Sequence, residues 1–268
     1  MTLRRFSRAL VTGASSGIGT ELARQLAARN VATVLVARDE QALTALADEL
    51  RASAPDGPGR DVEVLAADLT DETDLRRVCT RLQDRDAPID LLVNDAGTGQ
   101  VGPFAELDVD EAEQSVRLNV LAPLRLTHAA LPLLRERQGA VLNVASVAAF
   151  EPVANMATYA ATKAFVSSWS QALHEELRST GVTVTALAPG FTRSGFVDAA
   201  DANEIAARIP GFVWDRPGDV ARAGLDGVAR GRALVLPSWW YRVGVTATTL
   251  TPTRLTRRIV GEVTRRLR

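Results

Sequence analysis

Lysine is almost missing from this chain: of 31 basic residues, Lys163 alone is a lysine and the others are arginine. Tyrosine is nearly as rare, with Tyr159 and Tyr241 the two copies. The single cysteine, Cys79, excludes an internal disulfide, and its place in the helical pattern DETDLRRVCTRL predicts a buried structural thiol. No uninterrupted apolar run approaches the roughly 18 residues of a spanning helix. The opening MTLRRFSRALVTG holds no apolar stretch of signal-peptide length, so a cytoplasmic protein is expected. Apolar content of 46% and charged content of 24% are those of a soluble globular chain and disfavour disorder.

The scarcity of lysine directs attention to where it is kept. Tyr159 and Lys163 are four positions apart, so on a helix they lie on one face. A free phenol has a pKa of about 10. A cation about 5 Å away, at an effective dielectric of about 20, favours phenolate by about 3 kcal/mol, or roughly two pKa units. That brings Tyr159 toward the range useful for general acid–base catalysis. Lysine suits the task better than arginine because its ammonium is compact and can give up a proton. The alternative is a core tyrosine beside a solvated lysine.

Short β-branched runs alternate with helical patterns: RALVT, VATVLVA, VEVLAA, IDLLVN, AVLNVAS, VTVTALAP and ALVLP read as strands. Helices are expected in GTELARQLAAR, EQALTALADELRAS and DETDLRRVCTRLQDR, and in one long stretch from about Asp110 to Arg137. Alternation of this kind, with strands apolar on both faces, predicts an α/β Rossmann-type doubly wound parallel sheet of about seven strands with helices on both faces. APDGPG at 54–59 is a loop inside one domain rather than a linker. Residues 1–236 are assigned to the dinucleotide-binding and catalytic domain, and 237–268 to a basic helical extension.

After the first strand comes TGASSGIG at 12–19, followed by a helix. Gly13, Gly17 and Gly19 allow a tight turn, close approach of a diphosphate and close packing of helix on strand, while the helix N-terminus favours the anion. Ser15 and Ser16 can hydrogen-bond phosphate, although no basic residue stands in the loop. The second strand ends at Val36-Ala37-Arg38, where an acid would bind a ribose hydroxyl and an arginine accommodates a 2′-phosphate. NADP(H) is therefore expected over NAD(H), unless Arg38 merely opens a solvated helix with its charge offset by Asp39. Ser146 ends the fifth strand on the ligand-binding edge, where a hydroxyl can serve a carbonyl oxygen or simply a turn.

With these motifs in place, the chain resembles a classical short-chain dehydrogenase/reductase over residues 6–236. TGASSGIG, Asp68, NDAG at 94–97, Asn119, Ser146, YAATK at 159–163 and PGFT at 189–192 stand in the family's order and spacing. The resemblance implies a catalytic tetrad of Asn119, Ser146, Tyr159 and Lys163, with Tyr159 exchanging the proton. Lys163 would hold the nicotinamide ribose and lower the Tyr159 pKa, and Asn119 would kink its helix to keep a relay water. The cofactor set would comprise Gly13, Ser15, Ser16, Gly17, Ile18, Gly19 and Arg38, with Asp68 and Leu69 at the adenine. Asn94 would fix the sheet edge beside Ala96 and Gly97, and Pro189, Gly190 and Thr192 would meet the nicotinamide end. No metal is expected. Two departures stand out: Asp95 replaces the family's second asparagine, where it is expected to accept backbone hydrogen bonds, and the last strand runs into SWWYR and a basic tail. The family implies a homodimer or homotetramer, while this ending is at odds with the usual tetramer packing.

The expected function is NADP(H)-dependent hydride transfer between nicotinamide and a carbonyl or secondary alcohol. The alternative is a dinucleotide-binding sensor or scaffold without turnover. Substrate loops at 98–107, 147–156 and 191–214 supply Phe104, Phe150, Met156, Phe191, Phe196, Phe212 and Trp214, which form either a lipophilic pocket or core. From Pro237 onward seven arginines face one acid, Glu262, and Leu255, Ile259, Val263 and Leu267 recur at steps of four. Such a basic amphipathic helix fits an anionic membrane surface, a partner subunit or the chain's own domain; nucleic acid is not expected, for no base-reading module accompanies it.

Overall fold

A computed structural model of the chain describes residues 6–193 and 211–250. Its centre is a seven-stranded sheet: β1 (Arg8–Thr12), β2 (Ala32–Ala37), β3 (Val62–Ala66), β4 (Leu91–Asn94), β5 (Ala140–Val144), β6 (Thr183–Leu187) and β7 (Leu234–Val235). Every pairing is parallel and the order is β3-β2-β1-β4-β5-β6-β7. Alternate side chains serve opposite faces, which explains why the strands read as continuous apolar runs. Ala9 and Val11 of β1, with Leu91 and Val93 of β4, join one core, whereas Leu10 and Leu92 join the other.

The first core is covered by α1 (Gly17–Ala28), α2 (Glu40–Ser53) and α7 (Pro217–Ala229). On the other face lie α3 (Glu72–Leu82), α4 (Val109–Val116), α5 (Ala122–Arg137) and α6 (Ala157–Glu176). A last helix, α8 (Trp239–Leu250), follows β7. Asp39, Asp71 and Asp108 cap α2, α3 and α4 through their carboxylates. Cys79 is half-buried against this second face, and burial pushes its thiol pKa up.

The predicted long helix is interrupted by a π-turn at Arg117–Leu121, where Ala122 N–H reaches the carbonyl of Arg117. Pro123 supplies the cause: it has no N–H to offer the carbonyl four residues back, that of Asn119. The order of strands reverses between β1 and β4, so their C-terminal ends open the crevice where ligands bind in such sheets. The glycine loop follows β1 there and NDAG follows β4. Among the described residues no helix is long and apolar enough to cross a membrane. Phe196, the side chain of Phe212 and the tail residues Leu255, Ile259, Val263 and Leu267 lie outside the described residues.

Candidate active site

The two loops at the crevice touch. Gly13 has a φ of +70°, and a Cβ there would stand 2.8 Å from the backbone nitrogen of Ala96. At Gly19 a Cβ would meet the carbonyl oxygen of Gly13 at 2.2 Å, so helix and loop pack as closely as the motif implied. Thr12 joins the loops from beneath, its Oγ1 accepting from the N–H groups of Asp95 and Ala96 at 3.1 Å each. Ser16 begins α1 without a side-chain cap; the Gly19 N–H is taken by Asp95, and an anion would meet the amides before it. Ile18 packs on the core.

The tetrad gathers around the ends of β4 and β5. Asn119, 2% exposed in the π-turn, clamps the loop after β4 by accepting from Thr98 N–H at 3.0 Å and donating to its carbonyl at 2.7 Å. Its amide also donates to Thr162 Oγ1 at 3.0 Å, and that hydroxyl donates to the Tyr159 carbonyl. Ser146 is extended and caps the short turn Val147–Ala149 by accepting from Ala148 N–H. The Ser146 hydroxyl also shares a hydrogen bond with the Tyr159 phenol. Lys163 is buried, donates to Val144 O at 2.8 Å, and places Nζ 5.8 Å from the centre of the Tyr159 ring.

Electrostatics here differ from the sequence expectation. Tyr159 is pushed up to about 12, chiefly by burial; the Ser146 hydrogen bond works against this and the Asp95 charge adds to it. The lowering expected from Lys163 does not appear: burial raises the Tyr159 pKa first and the Asp95 charge raises it further. Burial brings Lys163 down to about 8 against the pull of Asp95. Asp95 in turn is raised to about 7 by burial, opposed by Lys163 and by a hydrogen bond from the Gly19 backbone. The expected backbone contact of Asp95 is therefore present, and so is an unexpected charge partner.

Other expected residues fall less simply. Asn94 is buried in the sheet, its amide donating to Thr127 Oγ1 and to Asn143 Oδ1, so it supports the edge and turns no donor toward the crevice. Asn143 continues this chain to Ser170 Oγ at 2.9 Å, and Ser170 donates to Val166 O within α6. Leu69 points into the core and can offer only backbone. Asp68 accepts from both the amide and the hydroxyl of Thr70. Arg38 is exposed at the end of β2; Asp39, which might have neutralised it, accepts from Ala42 N–H as the α2 cap, and no ion pair to Arg38 occurs among the described residues. Pro189 O accepts from Val147 N–H, and Thr192 donates to Gly190 O. Of the substrate-side aromatics, Phe104 is 64% exposed and Phe150 packs on core, whereas Phe191 meets Trp214 at 5.8 Å.

Sequence reasoning missed several participants. Gly99 lies against Tyr159, where a Cβ would stand 2.6 Å from the ring, and a Cβ at Gly97 would meet Asn119 and Lys163 at 3.1 and 3.3 Å. A cleft of about 1200 Å³ runs from Ser15, Ser16 and Gly17 to Arg193 and Arg216. These arginines bring to the glycine loop the positive charge it lacks. No local spacing announced them, since they are distant in sequence.

A parallel doubly wound sheet with this loop and this Asn-Ser-Tyr-Lys cluster at its switch point defines a Rossmann-type oxidoreductase. A family model described as short chain dehydrogenase matches residues 7–205, and the chain belongs to the short-chain dehydrogenase/reductase family. An uncharacterised oxidoreductase of Staphylococcus epidermidis is 34% identical over 197 residues, covering 73% of this chain and 82% of its own. A short-chain dehydrogenase from Sphingobium yanoikuyae, solved in complex with NADPH, superposes with a TM-score of 0.80 at 36% identity, covering 91% of this chain and 94% of that one. The bulky-bulky ketone specific alcohol dehydrogenase from Comamonas testosteroni gives 0.76 at 34% identity, over 91% and 93%.

Proposed function

We propose that the chain is an NADP(H)-preferring carbonyl reductase that transfers hydride to a ketone or aldehyde, most readily a lipophilic one. The observation that carries this reading is the convergence of Ser146, Tyr159 and Lys163 on one crevice edge. The residues present fit the cofactor: Gly13 and Gly19 let the loop, Ala96 and the start of α1 pack closely, Ser16 adds no side-chain cap to α1, and Arg38 is unpaired among the described residues. When bound, the nicotinamide supplies or receives the hydride. The Sphingobium relative, solved in complex with NADPH, supports NADPH as a ligand.

In reduction, the carbonyl carbon gains the hydride while its oxygen takes a proton from the Tyr159 hydroxyl, which closes the balance as an alcohol. Ser146 donates a hydrogen bond to that oxygen as charge develops. A phenol held up near 12 is protonated at neutral pH, the form that reduction requires. Lys163 holds the nicotinamide ribose and feeds the proton path back to Tyr159. The carbonyl of Asn119, to which Pro123 offers no N–H, would hold a relay water. Ser15, Ser16, Arg193 and Arg216, which line one cleft, would hold the diphosphate, and Pro189, Gly190 and Thr192 the nicotinamide end.

Residues 1–236 act as the catalytic domain in this reading, and the basic extension from Pro237 makes peripheral contact with anionic membrane from a cytoplasmic location. Trp239 and Trp240, exposed at the start of α8, support that contact. Val116, Leu121, Leu124 and Phe165 leave an apolar face on the α4–α6 side, which supports a homodimer or homotetramer. The deciding experiment is a panel of carbonyls and alcohols of graded size, assayed with both dinucleotides. Tight NADPH binding with no turnover across the panel would favour the sensor or scaffold instead.

A further inference from the structure

Tyr241, the second tyrosine, belongs to the extension rather than to residues 7–205 that match the family. Its ring rests on Gly190: a methyl group there would fall 1.9 Å from Cζ and 2.0 Å from Cε2. Gly190 does not adopt the left-handed backbone that favours glycine, so what its missing side chain provides is room for this ring. The Tyr241 hydroxyl accepts from Phe191 N–H at 3.1 Å and donates to Val213 O at 3.0 Å. One oxygen thus ties together two backbone segments far apart in the chain.

Neighbouring contacts reinforce the same point. Ser238 hydrogen-bonds Asp215 Oδ1. The Asp215 backbone donates to Phe191 O at 2.8 Å and accepts from Arg193 N–H, forming a bridge with Thr192. Helix α8 gains little from apolar packing at its start, where Trp239 and Val243 are 67% and 60% exposed. Its inward hold is therefore polar and directed at the turn after β6. The same bonds that seat the helix fix the turn.

We propose that Tyr241 is a positioning residue, holding the Gly190–Thr192 backbone in the place where the nicotinamide end of the cofactor rests. This depends on the function proposed above, but its test does not depend wholly on turnover. Tyr241→Phe keeps the ring on Gly190 and removes both hydroxyl bonds. The expected result is a dinucleotide Kd about fivefold weaker by fluorescence titration, and a kcat/KM lowered at least as much, the scale of one lost net hydrogen bond. Melting temperature falls modestly whichever role the tyrosine has, because both bonds are lost; a merely structural tyrosine would leave Kd and kcat/KM of the folded protein unchanged. In a second arm, Gly190→Ala is made in the wild type and in Tyr241→Ala, and the methyl should weaken dinucleotide binding more in the wild type, where it meets the ring. Wild-type Kd and kcat/KM in Tyr241→Phe, or an equal effect of Gly190→Ala in both backgrounds, would overturn the proposal. Failure of the wild-type enzyme on every carbonyl would instead sink the proposed function, while the two Kd comparisons would still decide the role of Tyr241.

Discussion

Lys163 donates to the carbonyl oxygen of Val144 at 2.8 Å, so the single side-chain amine of the protein is anchored to the end of β5. A guanidinium is planar, bulkier and practically never deprotonated, and cannot reproduce one buried bond while serving a ribose. Lys163→Arg is expected to lower kcat by about 10²-fold or more, on the scale of losing acid–base assistance, with charge conserved. Steady-state kinetics with the best carbonyl of the panel checks this; near-normal kcat would show that charge alone suffices.

Tyr159→Phe removes the proton donor and little else. Turnover should fall by about 10²–10⁴-fold, while NADPH Kd weakens by no more than about fivefold, the scale of one neutral hydrogen bond. Retained turnover would dismiss the mechanism.

Asp95→Asn tests the unexpected charge. Asp95 raises the Tyr159 pKa, so its removal lowers that pKa and moves the ascending limb of the alcohol-oxidation pH profile, where the phenol becomes a base, to lower pH. Asp95 also favours the charged form of Lys163, so the Lys163 pKa drops further below about 8 in the variant. Profiles of kcat/KM against pH, measured side by side, should show both changes in the same direction. An unmoved ascending limb would mean that Asp95 does not reach the phenol.

Arg38→Glu places an acid where a 2′-phosphate would sit. The ratio of kcat/KM for NADPH to that for NADH should fall by about 10- to 100-fold, the scale of a charge-assisted hydrogen bond. An unchanged ratio would refute the assignment of Arg38.

Asp90→Ala addresses stability. Its carboxylate accepts from Ser7 N–H at 2.8 Å, Arg8 N–H at 3.0 Å and the Ser7 hydroxyl, tying the entry of β1 to that of β4. Loss of these partners should destabilise by about 1–3 kcal/mol, seen as a Tm lowered by roughly 2–10 °C for a chain of this size.

The five inner strands were readable because both of their faces are buried, which turns the pattern into unbroken apolar runs, whereas the edge strands β3 and β7 are only partly buried and were read from their β-branched and apolar residues. Asn119, Ser146, Tyr159 and Lys163, named from their order and spacing, do come together at the crevice, and Pro123 in hindsight marks the π-turn that the periodicity of residues 110–137 concealed. The Tyr159 pKa was misjudged for a physical reason: spacing places Lys163, but neither the burial of the phenol nor the Asp95 charge follows from spacing. Tyr241, Arg193 and Arg216 reach the crevice only through tertiary folding, and no local pattern ties them to it.

The buried chain from Asn94 through Asn143 to Ser170 acts on the dyad without touching it. Each amide and hydroxyl in it has an assigned direction, so α6 has one axial setting against the sheet. Sliding the helix by one residue, about 1.5 Å, would remove Ser170 from Asn143 and leave buried polar groups unmatched. The chain works as a detent. Because the alignment of Tyr159 and Lys163 is secured two to three turns away along α6, the loops around the crevice can vary in length and chemistry for new substrates without detuning the reacting groups.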